Sequence, residues 1–409
     1  MKKVLLSTAA IAGMAMIANP AAAQVKLELG GWFKGYGAYV SQDDTNGTVT
    51  DANDVGVVRH TEVHFGGETT LDNGLTVGAH IETEADGGNG FEVEESYVYF
   101  SGGWGRVNFG AEDGAQYLLQ VSAPAADDNI DGIRQFVQPV NYAVLVDTSA
   151  GNTLFATAAA NGFDYETNAT GYSDKLTYLS PIMNGFQLGL SWTPDVSSTS
   201  GSPLTVQTAY APDFTGVLTD DQVNTFGAAF EGGLRYEGQF NNVGVIAGAG
   251  YTHMDLESKR AAGAFAVGDA QDDRTVWNVG LDLDIGPFGI GASYSEDDYG
   301  DTVASVTGGN PTGTKGDEET LVVGVDYTTG PFKLGASYMN QDGTQNITGL
   351  LGNDGVETDR YTGGVVYTYG PGMTFRGSVS YIEHDNVAGL PSGDNVDATS
   401  VLIGTQINF

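Results

Sequence analysis

Apolar and polar residues alternate along almost the whole chain after residue 25, in segments of about ten residues. Successive side chains of a strand point to opposite faces, so this two-residue period predicts strands with two different faces. The segment Phe332–Asn340 shows the pattern clearly. Its first face is apolar and carries Phe332, Leu334, Ala336 and Tyr338. Its second face is mostly small or polar and carries Lys333, Gly335, Ser337 and Met339.

Tight turns separate the segments on one side, and longer polar loops separate them on the other. Gly286-Pro287 and Gly330-Pro331 are the clearest turns, because Gly and Pro suit the backbone angles that turns require. The pattern predicts sixteen strands: Lys26–Val40, Val57–Thr70, Leu75–Ala85, Glu92–Ser101, Gly105–Ala111, Lys175–Ser180, Phe186–Thr193, Thr225–Phe240, Val243–Leu256, Thr275–Ile285, Phe288–Ser295, Thr320–Thr328, Phe332–Asn340, Arg360–Tyr369, Met373–Glu383 and Ala398–Phe409.

A further hairpin would raise the number of strands to eighteen. It consists of Thr153–Ala160 and Phe163–Thr167, joined by Asn161-Gly162, a pair that favours hairpin turns. The alternative, which we favour, is that this hairpin lies within a long loop.

The alternation fits either a soluble secreted β protein with apolar faces inward or a transmembrane β-barrel with apolar faces outward. The apolar residues of sixteen strands exceed what a narrow barrel can enclose. No run of about 18 apolar residues follows residue 24, so helical membrane spans are not expected. Phe and Tyr near strand ends are typical of membrane-interface girdles. We therefore predict an all-β fold, a transmembrane antiparallel β-barrel whose polar faces line a water-filled interior.

The first 23 residues have the pattern of a secretory signal peptide. Lys2 and Lys3 precede a short apolar run, and Ala21-Ala22-Ala23 offers a cleavage site for small residues. Residues 24–409 are then expected to form the mature barrel domain.

The composition is strongly acidic, with 16 Lys and Arg against 52 Asp and Glu and a formal net charge of −36. Such a surface repels nucleic acid, which is therefore excluded as a partner, and it suits a protein that handles cations. The chain has no cysteine, so the fold of this exported protein does not depend on disulfides.

Several motifs resemble the general porins of the alphaproteobacterial, Rhodobacter-like kind, over nearly the whole mature chain. They are residues 30–36 (Gly-Gly-Trp-Phe-Lys-Gly-Tyr), 105–110 (Gly-Arg-Val-Asn-Phe-Gly), 174–181 (Asp-Lys-Leu-Thr-Tyr-Leu-Ser-Pro) and the terminal Phe409. The resemblance implies a sixteen-stranded barrel in the outer membrane, a homotrimer, and a third loop that folds into the pore. It also implies that Phe409 is the assembly signal read by the barrel-insertion machinery.

The longest interval between predicted strands, from Glu112 to Asp174, is the expected constriction loop. Charges at the narrowest point of a pore determine its selectivity. If the loop folds inward, as the resemblance implies, its acids enter the channel; the alternative is an external solvated loop. The candidate constriction acids are Glu112, Asp113, Asp127, Asp128 and Asp131.

Five basic residues occupy the polar faces of their strands, namely Lys34, Arg106, Arg235, Lys333 and Arg376. A Lys or Arg that faces lipid near the bilayer midplane costs about 2–4 kcal/mol, so we expect all five to face the pore. Acids at neighbouring inward positions are Glu231, Glu237, Asp282 and Asp284. The resemblance implies a field between an acidic loop and a basic wall, and the alternative is that these are ordinary ion pairs.

Metal ligands are not predicted with any specificity. His60 and His64 share one strand face, but at about 13 Å apart they cannot bind one ion, so they are interpreted as lumen residues. Acid clusters in the outer loops, such as Asp43-Asp44 and Asp272-Asp273, suit structural Ca²⁺ or bridges to lipopolysaccharide phosphates. No twelve-residue calcium-loop pattern accompanies them, so no cofactor is expected beyond this possible Ca²⁺.

The function favoured by these observations is passive diffusion of small hydrophilic solutes and ions, with a mild cation preference from the excess of acids. A substrate-specific channel is the closest alternative, but residue parity shows no ladder of aromatic residues along the lumen. A barrel enzyme is less favoured, because Ser180 and Ser191 have no histidine companion in the strand assignment. A secreted calcium-binding β-roll would need a nine-residue repeat, which is absent.

Overall fold

The computed structural model describes residues 25–44, 53–87, 90–127, 137, 139–145, 165–196, 223–266, 269–314, 317–344, 356–385 and 395–409. The predicted signal peptide, residues 153–164 of the additional hairpin, and the candidate acids Asp128 and Asp131 lie outside these ranges.

The described residues form eighteen strands and two short helices. The strands are β1 Lys26–Gln42, β2 Val55–Thr70, β3 Thr76–Gly87, β4 Gly90–Gly102, β5 Gly105–Ala111, β6 Asp174–Leu179, β7 Phe186–Thr193, β8 Phe226–Phe240, β9 Val243–Leu256, β10 Arg274–Ile285, β11 Phe288–Asp298, β12 Val303–Thr307, β13 Asn310–Thr314, β14 Glu318–Thr329, β15 Phe332–Thr344, β16 Val356–Gly370, β17 Met373–Asp385 and β18 Val396–Asn408. The helices are α1 Ala115–Leu118 and α2 Tyr142–Leu145.

Sixteen of the strands form one closed antiparallel barrel, as predicted. Each pairs with the barrel strands before and after it in the chain, so that β11 pairs with β14, and β18 closes the ring against β1, with Gly404 opposite Tyr36. The remaining two, β12 and β13, form a separate hairpin within the loop between β11 and β14. Because β5 pairs directly with β6, Phe109 opposite Leu176, the ring leaves no edge for a further pair of strands. The eighteen-strand alternative for the barrel is therefore wrong.

The outer surface of the barrel is apolar. Leu27, Phe109 and Ile403 expose 76%, 63% and 71% of their surface, far more than isolated apolar residues on a soluble protein would explain. Aromatic rings pair across neighbouring strands beside the short turns, as Phe288 does with Tyr327, their centroids 4.9 Å apart. Further pairs lie towards the opposite strand ends, such as Tyr338 with Tyr361 at 4.9 Å. The apolar faces thus point outward, where two aromatic girdles border a lipid-facing band.

The short turns depend on residues that tolerate left-handed backbone angles. Gly286 and Gly330, each before a proline, have φ of 64° and 54°. These angles are strained for side chains with a Cβ, so glycine is required where the chain reverses within two residues. Neither described helix is long and apolar enough to cross a bilayer.

The interior of the barrel contains part of the loop between β5 and β6, residues 112–173, called L3 below. At the long-loop ends of their strands, the inward residues Val322, Met339 and Ile382 are buried against Tyr142 and Tyr165 of L3. The prediction that inward faces are small and polar is therefore wrong at these positions. The physical reason is that L3, and not water, covers them.

Candidate functional site

L3 follows the inner wall from β7 to β16, and eight of the wall positions beneath it are glycines. These residues, called the glycine path below, are Gly189, Gly233, Gly248, Gly280, Gly291, Gly324, Gly335 and Gly364.

Side chains at the glycine path would collide with L3. A Cβ at Gly280 would overlap the carbonyl oxygen of Val121, and one at Gly324 would overlap that of Pro124. A Cβ at Gly291 would lie 2.8 Å from Cδ of Pro124. The wall lacks side chains where the L3 backbone approaches it most closely, so the resemblance-based expectation of an inward third loop is met. The signal in the sequence was the recurrence of glycine at inward strand positions.

Beyond the glycine path, Asp127 holds L3 against β17. Its carboxylate lies 3.2 Å from Nη1 of Arg376 on β17, and it accepts hydrogen bonds from Tyr36 Oη at 3.3 Å and Ser378 Oγ at 3.4 Å. The Asp127 side chain is fully buried, and that of Arg376 is 9% exposed. Two of the predicted site residues therefore neutralise each other directly, and do not face each other across open water.

Glu112 fixes the beginning of L3. Asn108 Nδ2 donates to both carboxylate oxygens of Glu112, at 2.8 and 2.6 Å, and Lys175 Nζ donates to its carbonyl oxygen. The Glu112 side chain is buried between the wall and the rest of L3. Asp113 accepts a 2.6 Å hydrogen bond from Asn168 Nδ2 within L3. Glu112 therefore anchors the beginning of L3 and does not face open water.

Further contacts attach L3 to strands on several sides. Ser191 Oγ accepts a hydrogen bond from the Ala115 amide at 2.9 Å. Tyr165 Oη donates to the carbonyl oxygens of Val279 at 2.8 Å and Tyr294 at 3.0 Å. Tyr142 Oη lies 3.1 Å from His384 Nε2. These contacts make L3 part of the packed interior, and they use Ser191, a serine considered as a nucleophile, as a structural acceptor.

The five predicted wall cations all lie on inward positions. Arg235 Nε is 2.7 Å from Glu237, a predicted partner, and its Nη1 donates to the Gln120 carbonyl of L3 at 2.9 Å. Lys333 Nζ is 2.9 Å from Asp326, a partner that parity alone did not identify.

The two remaining cations contact aromatic rings. Lys34 Nζ lies 5.0 Å from the ring of Trp32, and the Arg106 guanidinium lies 4.0 Å from the ring of Tyr99. Sequence reasoning missed further inward cations, among them Lys175 and Arg360, which are both buried, and Arg274, whose Nη2 lies 2.5 Å from Asp297. Strand parity could have identified them.

A row of rings crosses the inner wall from β1 to β4, although parity within single strands showed no aromatic ladder. Trp32 lies 5.0 Å from His64, His64 lies 5.5 Å from His80, and His80 lies 5.2 Å from Tyr97, measured between ring centroids. Each strand contributes only one or two members. The row therefore depends on the register between strands, which the pattern within one strand does not reveal.

A closed sixteen-stranded barrel with an apolar outside, charged residues inside and a loop across its lumen is the architecture of an outer-membrane channel. The sequence agrees, since a profile of Gram-negative porins matches residues 7–387. The chain belongs to the Gram-negative porin family, in the outer membrane, and its family and fold are those of a channel.

Solved porin structures share this fold. The anion-selective porin of Comamonas acidovorans superposes with a TM-score of 0.59 at 16% identity, covering 94% of this chain and all of its own. OmpT of Vibrio cholerae, determined in a trimer form, gives 0.54 at 13% identity, covering 94% of this chain and 99% of its own. A variant of the Rh. blastica porin gives 0.50 at 17%, covering 94% and 100%. Similarity at this level of identity establishes the fold.

Curated relatives with similar sequences include uncharacterized Rickettsia proteins. That of Rickettsia typhi is 26% identical over 163 residues, covering 35% of this chain and 37% of its own. That of Rickettsia bellii is 22% identical over 227 residues, covering 49% and 52%. This chain therefore spans between about a third and a half of the length of these two relatives.

Proposed function

We propose that the protein is a passive diffusion pore for small hydrophilic solutes and ions, and that L3 forms its constriction. The observation that carries this proposal is the course of L3. The loop contacts the inner wall along the glycine path, and the buried pair of Asp127 and Arg376 ties it to β17. A loop backbone fixed in this way narrows the lumen without blocking it.

We propose a mild cation preference, carried by acids of the wall together with the acids of L3. Asp127 is neutralised by Arg376, so it contributes little net charge to the lumen. Glu62, Glu82 and Glu84 lie on inward positions of β2 and β3, where each contacts a histidine. The anion preference named for the Comamonas porin shows that this fold also accommodates the opposite selectivity. Whether the pore prefers cations or anions therefore depends on this chain's own charges.

We also propose a homotrimer surrounded by outer-membrane lipid and lipopolysaccharide, with Phe409 as the assembly signal. The trimer form of the Vibrio protein and the extent of the apolar exterior support this proposal. The Phe409 amide donates to the Gly31 carbonyl at 3.1 Å, which places the last residue beside β1, and half of the residue's surface is exposed.

Conductance in planar bilayers tests the function. We expect stepwise insertion of open channels, closures in three equal steps, and a reversal potential of the sign for cations in a KCl gradient. Replacing Glu62 and Glu82 together by Gln should reduce this potential. Asp255→Asn is the matched control, because Asp255 lies on the outer face of β9 and its removal should leave selectivity unchanged. Anion preference of the unaltered protein would contradict the selectivity, and electrically silent membranes would contradict the pore.

A further inference from the structure

Two histidines and a glutamate from neighbouring strands meet on the inner wall. His64 on β2 lies opposite Glu82 on β3, and His80 precedes Glu82 by two residues on the same face. The Glu82 Oε2 atom is 3.5 Å from His64 Nε2 and 3.3 Å from His80 Nε2. The distance between His60 and His64 along one strand excluded a shared ion. The register between strands supplies His80 as a different partner for His64.

These spacings agree with the needs of a small divalent metal. Zinc bonds of about 2.0–2.2 Å to histidine and carboxylate place tetrahedral ligand atoms about 3.3–3.6 Å apart. One donor atom from each of His64, His80 and Glu82 lies within 4.8 Å of the other two. A small rotation of the side chains would therefore suffice to direct all three atoms at one ion.

Glu62 can supply a fourth ligand, and neighbouring aromatic rings pack against the two imidazoles. Glu62 Oε1 lies 3.0 Å from His64 Nε2 on the same strand. The Trp32 ring meets the His64 ring edge-on, and the Tyr97 ring packs on His80 at 5.2 Å. Glu95 Oε2 lies 3.9 Å from His80 Nε2. The two ring contacts restrict the orientation of the His64 and His80 imidazoles.

We propose that His64, His80 and Glu82, with Glu62 as fourth ligand, form a binding site for a divalent transition metal such as Zn²⁺ inside the pore. Imidazole nitrogens favour Zn²⁺, Cu²⁺ and Ni²⁺, whereas Ca²⁺ and Mg²⁺ prefer sites made of oxygen alone. The site therefore differs from the acidic outer loops, which offer carboxylates. A bound ion adds positive charge to an acidic wall and opposes the passage of other cations.

Calorimetric titration of the purified, detergent-solubilised protein with Zn²⁺ tests binding, with excess Ca²⁺ present to occupy sites made of oxygen. We expect saturable binding of Zn²⁺ to the unaltered protein. The His80→Gln variant should bind one Zn²⁺ fewer per chain. His60→Gln is the matched control, since His60 lies on the same strand face but bonds to Glu84 at 2.7 Å. His253→Gln is a second control, because His253 forms a separate cluster with Asp255 and Asp273. Equal Zn²⁺ binding by the unaltered protein and His80→Gln would overturn the site.

Two measurements keep the test decisive if His80→Gln folds poorly. His64→Gln should lose the same equivalent of Zn²⁺. Electron paramagnetic resonance of Cu²⁺ bound to the unaltered protein should show coupling to two imidazole nitrogens, and a spectrum without nitrogen coupling would contradict the proposal.

The effect of the metal site on conductance rests on the proposed pore function. Single-channel recording distinguishes a failure of the metal site from a failure of that function. Zn²⁺ should lower the conductance of the unaltered protein and of His60→Gln, with reversal by a chelator, but should not affect His80→Gln. Saturable Zn²⁺ binding by a protein without channel activity would overturn the pore and leave the site standing. Open channels without saturable Zn²⁺ binding would overturn the site alone.

Discussion

The inner wall of this barrel has two regions built on opposite principles. From β1 to β4 it carries large side chains, including Trp32, His64 and Glu82, which contact one another across strands. From β7 to β16 it carries the glycine path, and L3 occupies the space that side chains would have filled. An inward strand position therefore serves one of two purposes. It either places a functional side chain in the pore, or it is a glycine, so that another segment of the chain can pack against the strand.

Breaking the tie between L3 and β17 should have the largest effect on this difference. Asp127→Ala leaves the buried guanidinium of Arg376 without its carboxylate, and loss of one partner of a buried pair costs about 3–5 kcal/mol. We expect L3 to leave the wall, so that limited proteolysis cuts it and single-channel conductance rises.

The matched control for Asp127→Ala is Asp326→Ala. It breaks an ion pair with Lys333, whose side chain is 38% exposed, and such pairs contribute about 0–1 kcal/mol. This control should leave L3 resistant to protease. Equal resistance of L3 in Asp127→Ala would mean that the pair with Arg376 does not hold the loop.

Filling the glycine path should have a smaller effect of the same kind. Gly280→Ala adds a Cβ that overlaps the Val121 carbonyl oxygen, and overpacking of this kind costs about 1–3 kcal/mol. We expect a lower free energy of unfolding in urea and a partly displaced L3. Gly363→Ala is the matched control, because a Cβ there meets no atom within 4 Å. If both variants lost the same stability, the absence of side chains along the path would have no connection with L3.

The strands and their closure into a ring could be predicted from the sequence, because the two-residue period is a local signal. The ranges of β5, β7 and β9 were predicted without error. Several other long-loop ends were predicted too short, as at β11, which continues from Ser295 to Asp298. Beyond the membrane the alternation of apolar and polar residues gives way to consecutive acidic residues. The hydrogen-bonded ladder with β14 nevertheless continues through Glu296 and Asp297.

For the candidate site, strand parity could predict which residues face the pore but not which residues contact one another. Parity placed Arg235 and Lys333 on the pore face, because one residue's face depends on its own strand. Partnership across strands depends on register and on the course of L3. The pairing of Asp127 with Arg376 joins residues 249 positions apart, and no local pattern contains it. The meeting of His64 with His80 likewise required the alignment of β2 with β3.

An engineered disulfide tests most directly whether L3 lies on the inner wall, because the chain has no cysteine of its own. A Cβ at Gly364 would lie 3.5 Å from Cβ of Ala126, close to the separation of about 3.5–4.5 Å found in disulfides. Mass spectrometry of oxidised, alkylated protein carrying Ala126→Cys and Gly364→Cys should show one disulfide and no alkylated thiol. Ala126→Cys with Gly363→Cys, one residue along and on the opposite face, should show two alkylated thiols. Alkylation of both thiols in the Gly364→Cys protein would contradict the claim.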